Sequence, residues 1–223
     1  MKIEDLEHTV GCAFKEKGLL NEALTHRSYL NERPEWPHPH NERLEYLGDA
    51  VLELAVSESL FQKFPKAPEG ELTVLRAALV NYQMLGKIAA SMELGKFIFM
   101  SKSELRDTGK AREVILANAF EALVGALYLD RGFLAVKKFI ETRVVEAHLE
   151  EILQTKSYKD PKSELQEIVQ EKLKLTPAYK VLSEDGPAHQ RTFRSGVYFG
   201  DHFAGEGAGT SKQEAETDAA RKT

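Results

Sequence analysis

Residues 41–49 read N-E-R-L-E-Y-L-G-D, and their spacing predicts the start of an amphipathic helix. Glu42, Glu45 and Asp49 follow one another at three- and four-residue steps, so their carboxylates share one helix face. A separate apolar stripe continues along the same helix: Leu44, Leu47, Val51 and Leu54. Like charges at this spacing repel each other, and a hard divalent cation such as Mg²⁺ removes that cost because it prefers oxygen ligands. The spacing alone leaves two interpretations open, a solvated acidic face and a metal site.

The longer string N-E-R-L-E-Y-L-G-D-A-V-L-E-L, residues 41–54, resembles the signature of the ribonuclease III family, which cuts double-stranded RNA. A second string, L-T-H-R-S-Y-L-N-E at residues 24–32, resembles another part of the same nuclease domain. The resemblance favours the metal site over the solvated face. It implies an all-α nuclease domain that works as a symmetric homodimer, in which Tyr46 inserts into the partner. The alternative for Tyr46 is an ordinary core aromatic.

A second predicted helix, Glu113 to Asp130, is apolar except for Asn118 and Glu121 at its centre. Two polar residues on one face of such a helix need partners, which acidic side chains sharing a metal would supply. By the resemblance, the catalytic residues are Glu42, Glu45, Asp49 and Glu121. The same resemblance implies that Mg²⁺, or Mn²⁺ in its place, is bound by Glu45, Asp49, Asn118 and Glu121.

Asn118 departs from the family, whose usual residue at this position is Asp. An amide keeps a carbonyl oxygen that can bind a cation, but it removes one negative charge from the site. The substitution is either natural variation or a change that slows cleavage, and the sequence does not decide between them. The alternative function is therefore a catalytically attenuated protein that binds double-stranded RNA.

Other polar residues in the predicted nuclease domain allow more than one interpretation. Carboxylates at Glu69 and Glu71 favour a helix start, while the resemblance places Glu69 at the RNA-processing face. His26 is interpreted as a structural residue rather than a base or ligand. An exposed proline-rich loop is preferred to a zinc site for His38 and His40. The basic residues that precede the second helix suit a solvated segment and a phosphate contact equally well: Lys102, Arg106, Lys110 and Arg112.

A new pattern begins at Asp160-Pro161. A predicted helix is followed by three strand-like runs, Ala178–Ser183, Arg191–Phe199 and His202–Glu206, and by a last helix opened by the glycine-rich residues 207–212. This order resembles a double-stranded-RNA-binding domain, through D-P-K-S-E-L-Q-E (160–167), G-P-A-H-Q-R-T-F (186–193) and G-T-S-K-Q-E-A-E-T-D-A-A (209–220). Such domains read the shape of A-form RNA. The implied RNA contacts are Ser163, Gln166, Pro187, His189, Ser211 and Lys212.

The composition of the chain excludes some kinds of site and favours others. The 223 residues are 42% hydrophobic and contain one cysteine, Cys12, so an internal disulfide and a cysteine-based zinc cluster are excluded. No apolar leader or membrane-length apolar run is present, which favours a cytoplasmic protein. The net charge is −5, and because residues 156–223 hold eleven basic and eleven acidic residues, the acidic excess lies in the first part. That excess suits a metal site better than a general RNA-binding surface.

The predicted organisation is a multidomain α and α+β protein. It comprises a nuclease domain over 1–153, a linker over 154–159 and an RNA-binding domain with the order α-β-β-β-α over 160–223. No nucleophile–base constellation and no phosphate-binding glycine loop appears, so covalent catalysis and nucleotide hydrolysis lack support. The expected activity is metal-assisted hydrolysis of double-stranded RNA to 5′-phosphate and 3′-hydroxyl ends, in RNA processing and maturation.

Overall fold

The computed structural model describes residues 3–106, 108–155, 158, 160–187 and 190–223, with side chains from Asp5 onward. The chain divides into two compact units, Met1–Tyr158 and Lys159–Thr223. The last helix of the first unit runs to Thr155, two residues beyond the predicted domain end at 153. The predicted linker 154–159 stays a prediction, because residues 156, 157 and 159 lie outside the described part.

The first unit is helical, and its described residues form nine α-helices. They are α1 (Ile3–Val10), α2 (Lys17–Ala23), α3 (Arg27–Glu32), α4 (Glu42–Lys63), α5 (Glu69–Val80), α6 (Tyr82–Ser91), α7 (Lys110–Arg131), α8 (Phe133–Ile140) and α9 (Ala147–Thr155). Short 3₁₀ turns lie at Leu94–Lys96 and Glu104–Arg106. None of the helices in the described ranges is long and apolar enough to cross a membrane.

Helices α4 and α7, each of 22 residues, form the centre of the first unit. They cross at two glycines: a Cβ on Gly48 would lie 1.8 Å from the Glu121 backbone oxygen, and one on Gly125 would lie 2.3 Å from the Leu44 oxygen. The backbones can approach this closely only because neither position carries a side chain. Fully buried side chains such as Leu52 and Phe120 fill the core around the crossing. Gly48 of the signature therefore has a structural purpose, which is to bring α4 onto α7.

The start of α4 is fixed by a buried polar knot around Thr25. The Thr25 carbonyl accepts the Asn41 backbone N–H at 2.9 Å, and its hydroxyl accepts the Trp36 indole N–H at 3.1 Å. Asn41, the residue before α4, does not cap the helix with its side chain but donates it to the Ala23 carbonyl at 3.4 Å. Thr25 also forms an isolated parallel bridge with Phe99. These contacts hold the segment before α3 beside the first turn of α4.

The apolar periodicity of residues 133–152 predicts one continuous helix, whereas the structure has α8 and α9 joined by a π-helical segment, Glu141–Glu146. At the start of this segment, Glu141 accepts a hydrogen bond at 2.8 Å from the hydroxyl of Ser59, which lies buried on α4. Lys137 of α8 lies 2.9 Å from Glu58 of α4. Both polar contacts hold α8 and the π-helical segment against the C-terminal part of α4.

The second unit has the element order α10 (Pro161–Leu173), β1 (Pro177–Asp185), β2 (Thr192–Phe199), β3 (His202–Gly209) and α11 (Lys212–Lys222). Its strands form an antiparallel sheet in the order β1-β2-β3. The core between the sheet and the helices is small: Leu165, Val169, Val197, Ala219 and Ala220. The predicted fold class, an all-α domain followed by an α-β-β-β-α domain, is confirmed.

The glycine-rich run after Glu206 was predicted to open the last helix and instead continues β3 to Gly209. A Cβ on Gly207 would lie 2.1 Å from the Ala219 backbone nitrogen, and one on Gly209 would lie 2.5 Å from the Glu214 side chain. Glycine is required here because α11 rests directly on the strand, a tertiary demand that local propensity does not reveal.

Candidate active site

The α4–α7 crossing brings together the acidic residues that the signature predicted. Glu121 of α7 is half-buried, and its pKa is raised to about 8 by burial first and then by the negative charges of Asp49 and Glu45. Both of those residues lie on α4, one on each side of Gly48. The close approach at the glycines therefore determines which carboxylates face each other.

Asn118 belongs to the same cluster. The pKa of Glu45 is raised by burial, by the charge of Glu42 and by that of Asp49, while hydrogen bonding to the Asn118 side chain lowers it. An amide can donate to a carboxylate, whereas a second carboxylate at this position would repel it. Asn118 is thus a partner of Glu45 as well as a candidate carbonyl ligand.

The chemistry of this donor set fits a hard divalent cation. Three carboxylates and one amide oxygen are the ligand types that Mg²⁺ takes. Besides burial, the charges of Asp49 and Glu45 raise the pKa of Glu121, and a cation would offset that repulsion. The oxygens do not converge on one point, however: no group of three or more His, Cys, Asp or Glu among the described residues is arranged to hold a metal ion. Asp49 is exposed and Glu45 is half-buried. The ligand assignment stays a prediction.

Glu42 lies at the exposed first turn of α4, one turn from Glu45. Its carboxylate faces the Arg27 guanidinium, with 3.5 Å between Nη1 and Oε1, and the His40 ring, with 3.8 Å between Nδ1 and Oε2. Neither partner was predicted from the sequence. Arg27 belongs to α3 and meets Glu42 through the Thr25 contacts, whereas His40 lies only two residues before Glu42.

The described contacts of Glu69 do not include the residues at the α4–α7 crossing. It is exposed at the start of α5 and accepts a hydrogen bond from the Thr73 hydroxyl at 2.8 Å. The charges that shift the pKa values of Glu45 and Glu121 do not include it. Its predicted place at the RNA-processing face stays a prediction.

Contacts in the structure decide between the alternative roles of some of the histidines and basic residues. His26 is structural, since its Nδ1 accepts from the Ser28 backbone at the start of α3. His38 lies 3.3 Å from the Asn21 amide, and its ring packs against Trp36. Arg112 is structural too, because it donates to the Gly95 carbonyl at 3.1 Å. Both interpretations stay open for the exposed Lys102 and Arg106.

Tyr46 is 83% exposed, so it is not a core aromatic in the single chain. It lies on the outer face of α4, beside an apolar groove of about 250 Å³. The groove lies between α4 and the α7–α8 junction and is lined by Leu47, Ala50, Val51, Leu54, Tyr128 and Phe133. An exposed aromatic ring next to an apolar groove is an arrangement suited to a partner.

In the second unit, the predicted RNA contacts that the structure describes are exposed: Ser163, Gln166, Pro187, Ser211 and Lys212. His189 lies outside the described residues. Two of the exposed residues also take part in helix capping. Ser163 donates to the Asp160 side chain at the start of α10, and the Ser211 hydroxyl caps α11 by accepting from the Glu214 N–H.

Lys212 is less available than its position suggests. Its Nζ lies 3.1 Å from Glu184 of β1 and 5.8 Å from the ring centroid of Phe193. The sequence carries no signal for the pair with Glu184, because the two residues meet only through the sheet. An RNA phosphate would have to compete with this carboxylate for Lys212.

Comparisons with known proteins agree with this geometry. Residues 16–148 match the family described as Ribonuclease-III-like, and residues 161–223 match the double-stranded RNA binding motif. A Ribonuclease 3 from Nitratiruptor is 41% identical over 221 residues, covering 99% of this chain and 95% of the relative. One from Oceanobacillus iheyensis is 44% identical over 224 residues, covering 99% and 96%.

A solved structure shows the same relationship in three dimensions. The nuclease domain of ribonuclease III from Campylobacter jejuni, studied for flexibility in a region involved in dimer formation, is 47% identical to this chain. It covers 64% of this chain and 98% of its own length, with a TM-score of 0.57. The family match, the full-length relatives and the shared nuclease fold lead to one conclusion: the chain belongs to the ribonuclease III family.

Proposed function

We propose that the protein is a ribonuclease III that cleaves double-stranded RNA by metal-dependent phosphodiester hydrolysis. The observation that carries this proposal is the α4–α7 crossing, where burial first and then the charges of Asp49 and Glu45 raise the pKa of Glu121 to about 8. A fold gains nothing in stability from facing carboxylates of this kind, so their value is chemical. The same chain carries a double-stranded RNA binding motif, which would bind the substrate.

The residues proposed to hold the cation are Glu45, Asp49, Glu121 and the Asn118 carbonyl, with Mg²⁺ as the favoured ion and Mn²⁺ as a substitute. A divalent ion bound there would polarise the scissile phosphate and lower the pKa of a water molecule. The protein's contribution is position: α4 and α7 pack closely at the two glycines, so the carboxylates stay on facing helices. Burial first and then the charges of Asp49 and Glu45 raise the pKa of Glu121 to about 8, and a bound cation would favour its ionised form.

A single crossing offers one cleavage centre, so cutting both strands of a duplex needs two copies of the chain. We propose a homodimer through the outer face of α4, because Tyr46 is exposed there beside the apolar groove. The nuclease domain from Campylobacter jejuni, studied for flexibility in a region involved in dimer formation, supports a dimer but does not locate its interface on this chain. Two antiparallel copies of α4 would place the ring of each Tyr46 against the other chain.

The second unit is proposed to hold the duplex through shape rather than sequence. Gln166 on α10 and Pro187 and His189 after β1 would reach the minor groove, and Lys212 at the start of α11 would contact phosphates. The N-terminus of α11 would add to that phosphate contact. Because Lys212 is already paired with Glu184, its contribution should be modest.

Two further expectations belong to this proposal. Products with 5′-phosphate and 3′-hydroxyl ends would serve RNA processing and maturation, and an RNA substrate together with the lone Cys12 favours a cytoplasmic location. Nothing in the geometry favours the attenuated alternative, since Asn118 remains a working partner of Glu45.

The proposal is tested by incubating the full-length protein with a long RNA duplex, and separately with its single strands, in Mg²⁺. We expect cleavage of the duplex alone, with products that a 5′-phosphate-dependent exonuclease degrades. Duplex binding without cleavage, in both Mg²⁺ and Mn²⁺, would instead establish an RNA-binding protein.

A further inference from the structure

Arg27 and the ring of His40 flank the Glu42 carboxylate. Arg27 is the first residue of α3, and His40 precedes α4 by two residues. The segments that carry them are joined by the hydrogen bond from the Asn41 N–H to the Thr25 carbonyl, at 2.9 Å. This backbone contact places both side chains beside Glu42.

Arg27 and His40 each face a different oxygen of the Glu42 carboxylate. Arg27 Nη1 lies 3.5 Å from Oε1, and His40 Nδ1 lies 3.8 Å from Oε2. The His40 Nδ1 atom is buried, and it has no hydrogen-bond partner within the described structure. A buried ring nitrogen is costly to leave unpaired, so a small shift that pairs it with Glu42 is favourable.

Glu42 lies in the first turn of α4, three residues before Glu45. Residues at this spacing are neighbours on one helix face. The position of the Glu42 carboxylate therefore decides how close its charge lies to the proposed cation ligands on α4.

We propose that Arg27 is a positioning residue for RNA cleavage: supported by His40, it fixes the Glu42 carboxylate at the open end of the α4–α7 crossing. This inference rests on the proposed function, because it matters only if Glu42 takes part in cleavage. It assigns Arg27 a role through Glu42 and not a direct contact with RNA.

The competing explanation is also physical. Arg27 is 73% exposed, and an exposed guanidinium near a cleavage centre could bind a phosphate of the duplex directly. The two roles differ in kinetics. Loss of a phosphate contact weakens substrate binding and its salt dependence, whereas loss of a positioning contact lowers kcat.

The test is a double-mutant cycle in the full-length protein, with Arg27→Gln, Glu42→Gln and the double variant assayed on one RNA duplex in Mg²⁺. For an exposed ion pair we expect Arg27→Gln to lower kcat about two- to fivefold while KM stays constant. In the Glu42→Gln background the same substitution should have no further effect, and Arg27→Lys should recover most of kcat. Arg33→Gln, which removes a similar exposed pair with Glu35, is the matched control and should leave kcat unchanged.

Two results would overturn the inference. Equal losses from Arg27→Gln with and without Glu42 would show that Arg27 acts independently, and a raised KM with a weaker salt dependence would identify a phosphate contact. If Glu42→Gln alone cleaves like the unmodified protein, the positioning role falls, but the nuclease assignment stands on Glu121. Equal thermal unfolding of all variants is expected, since both side chains are exposed.

Discussion

At the scale of single residues, the catalytic proposal depends on Glu121. Its carboxyl group has a pKa of about 8 in the folded protein, against 4.5 as an ordinary value, and burial is the main cause. The folded state therefore keeps a proton that the unfolded chain releases between these two pH values. Stability must fall as pH rises through this window, because the folded state binds more protons than the unfolded one.

Glu121→Gln removes this titration and should stabilise the protein at pH 8 but not at pH 4.5, in buffer without divalent ions. The difference in unfolding free energy between variant and parent should grow steadily across the window. Mg²⁺ should then raise the melting temperature of the parent at pH 8 and leave the variant nearly unaffected. Thermal unfolding at a series of pH values, with and without Mg²⁺, measures both effects; a difference that does not change with pH would contradict the burial of Glu121.

Asn118 gives a second prediction at this scale. Asn118→Asp would place a carboxylate beside Glu45 and lose the hydrogen bond to it, so the variant should be less stable without metal. The added charge should strengthen the hold on a cation, so half-maximal cleavage should need less Mg²⁺. Metal titrations of the cleavage rate decide this. Superimposable Mg²⁺ curves for the two proteins would place Asn118 outside the metal site.

The sequence predicted these residues for two reasons. The signature fixes the order of the carboxylates on α4, and Asn118 and Glu121 are polar residues at the centre of a largely apolar second helix. It did not predict the neighbours of Glu42 or of Lys212. Arg27 meets Glu42 through the Thr25 knot, and Glu184 meets Lys212 through the sheet, so both pairs are tertiary contacts between segments far apart in sequence. Helical spacing carries no information about such contacts.

At the scale of elements, the arrangement of the proposed active site depends on the crossing of α4 and α7. Gly48→Ala would put a Cβ 1.8 Å from the Glu121 carbonyl oxygen, which belongs to rigid backbone. The helices would have to separate, and we expect a loss of about 1–3 kcal/mol in unfolding free energy together with a loss of cleavage.

Gly70→Ala is the matched control, since Gly70 lies in α5 and a Cβ there meets nothing within 4 Å. It should be neutral or stabilise the protein by roughly 0.5–1 kcal/mol. Urea unfolding compares the two variants. Equal stability of Gly48→Ala and Gly70→Ala would mean that α4 and α7 do not depend on the glycine contact.

Helix and strand order were predictable because apolar periodicity and turn residues mark them clearly. Errors occurred where tertiary contact overrides local preference. The glycines after Glu206 look like a turn, yet they extend β3 because α11 rests on them. The break of the last helix of the first unit into α8, Glu141–Glu146 and α9 has no marker in the periodicity, since all three parts keep one buried face.

At the scale of the whole molecule, activity on both strands requires two chains. Tyr46→Asp would place a charge in an apolar contact, and we expect it to convert the dimer to a monomer. Tyr46→Phe keeps the ring and is the control that should remain dimeric. Sedimentation velocity distinguishes these outcomes, and a dimeric Tyr46→Asp protein would remove the outer face of α4 as the interface.

The division of labour between the two units gives the most direct test of the whole account. Glu121→Ala removes the carboxylate at the centre of the crossing but changes nothing in the second unit, where the RNA-binding motif lies. Cleavage and duplex binding should be measured on one preparation, by product analysis in Mg²⁺ and by gel shift in Ca²⁺. We predict that cleavage is lost while the affinity for duplex RNA is retained; cleavage at the parental rate would contradict the assignment of the α4–α7 crossing as the active site.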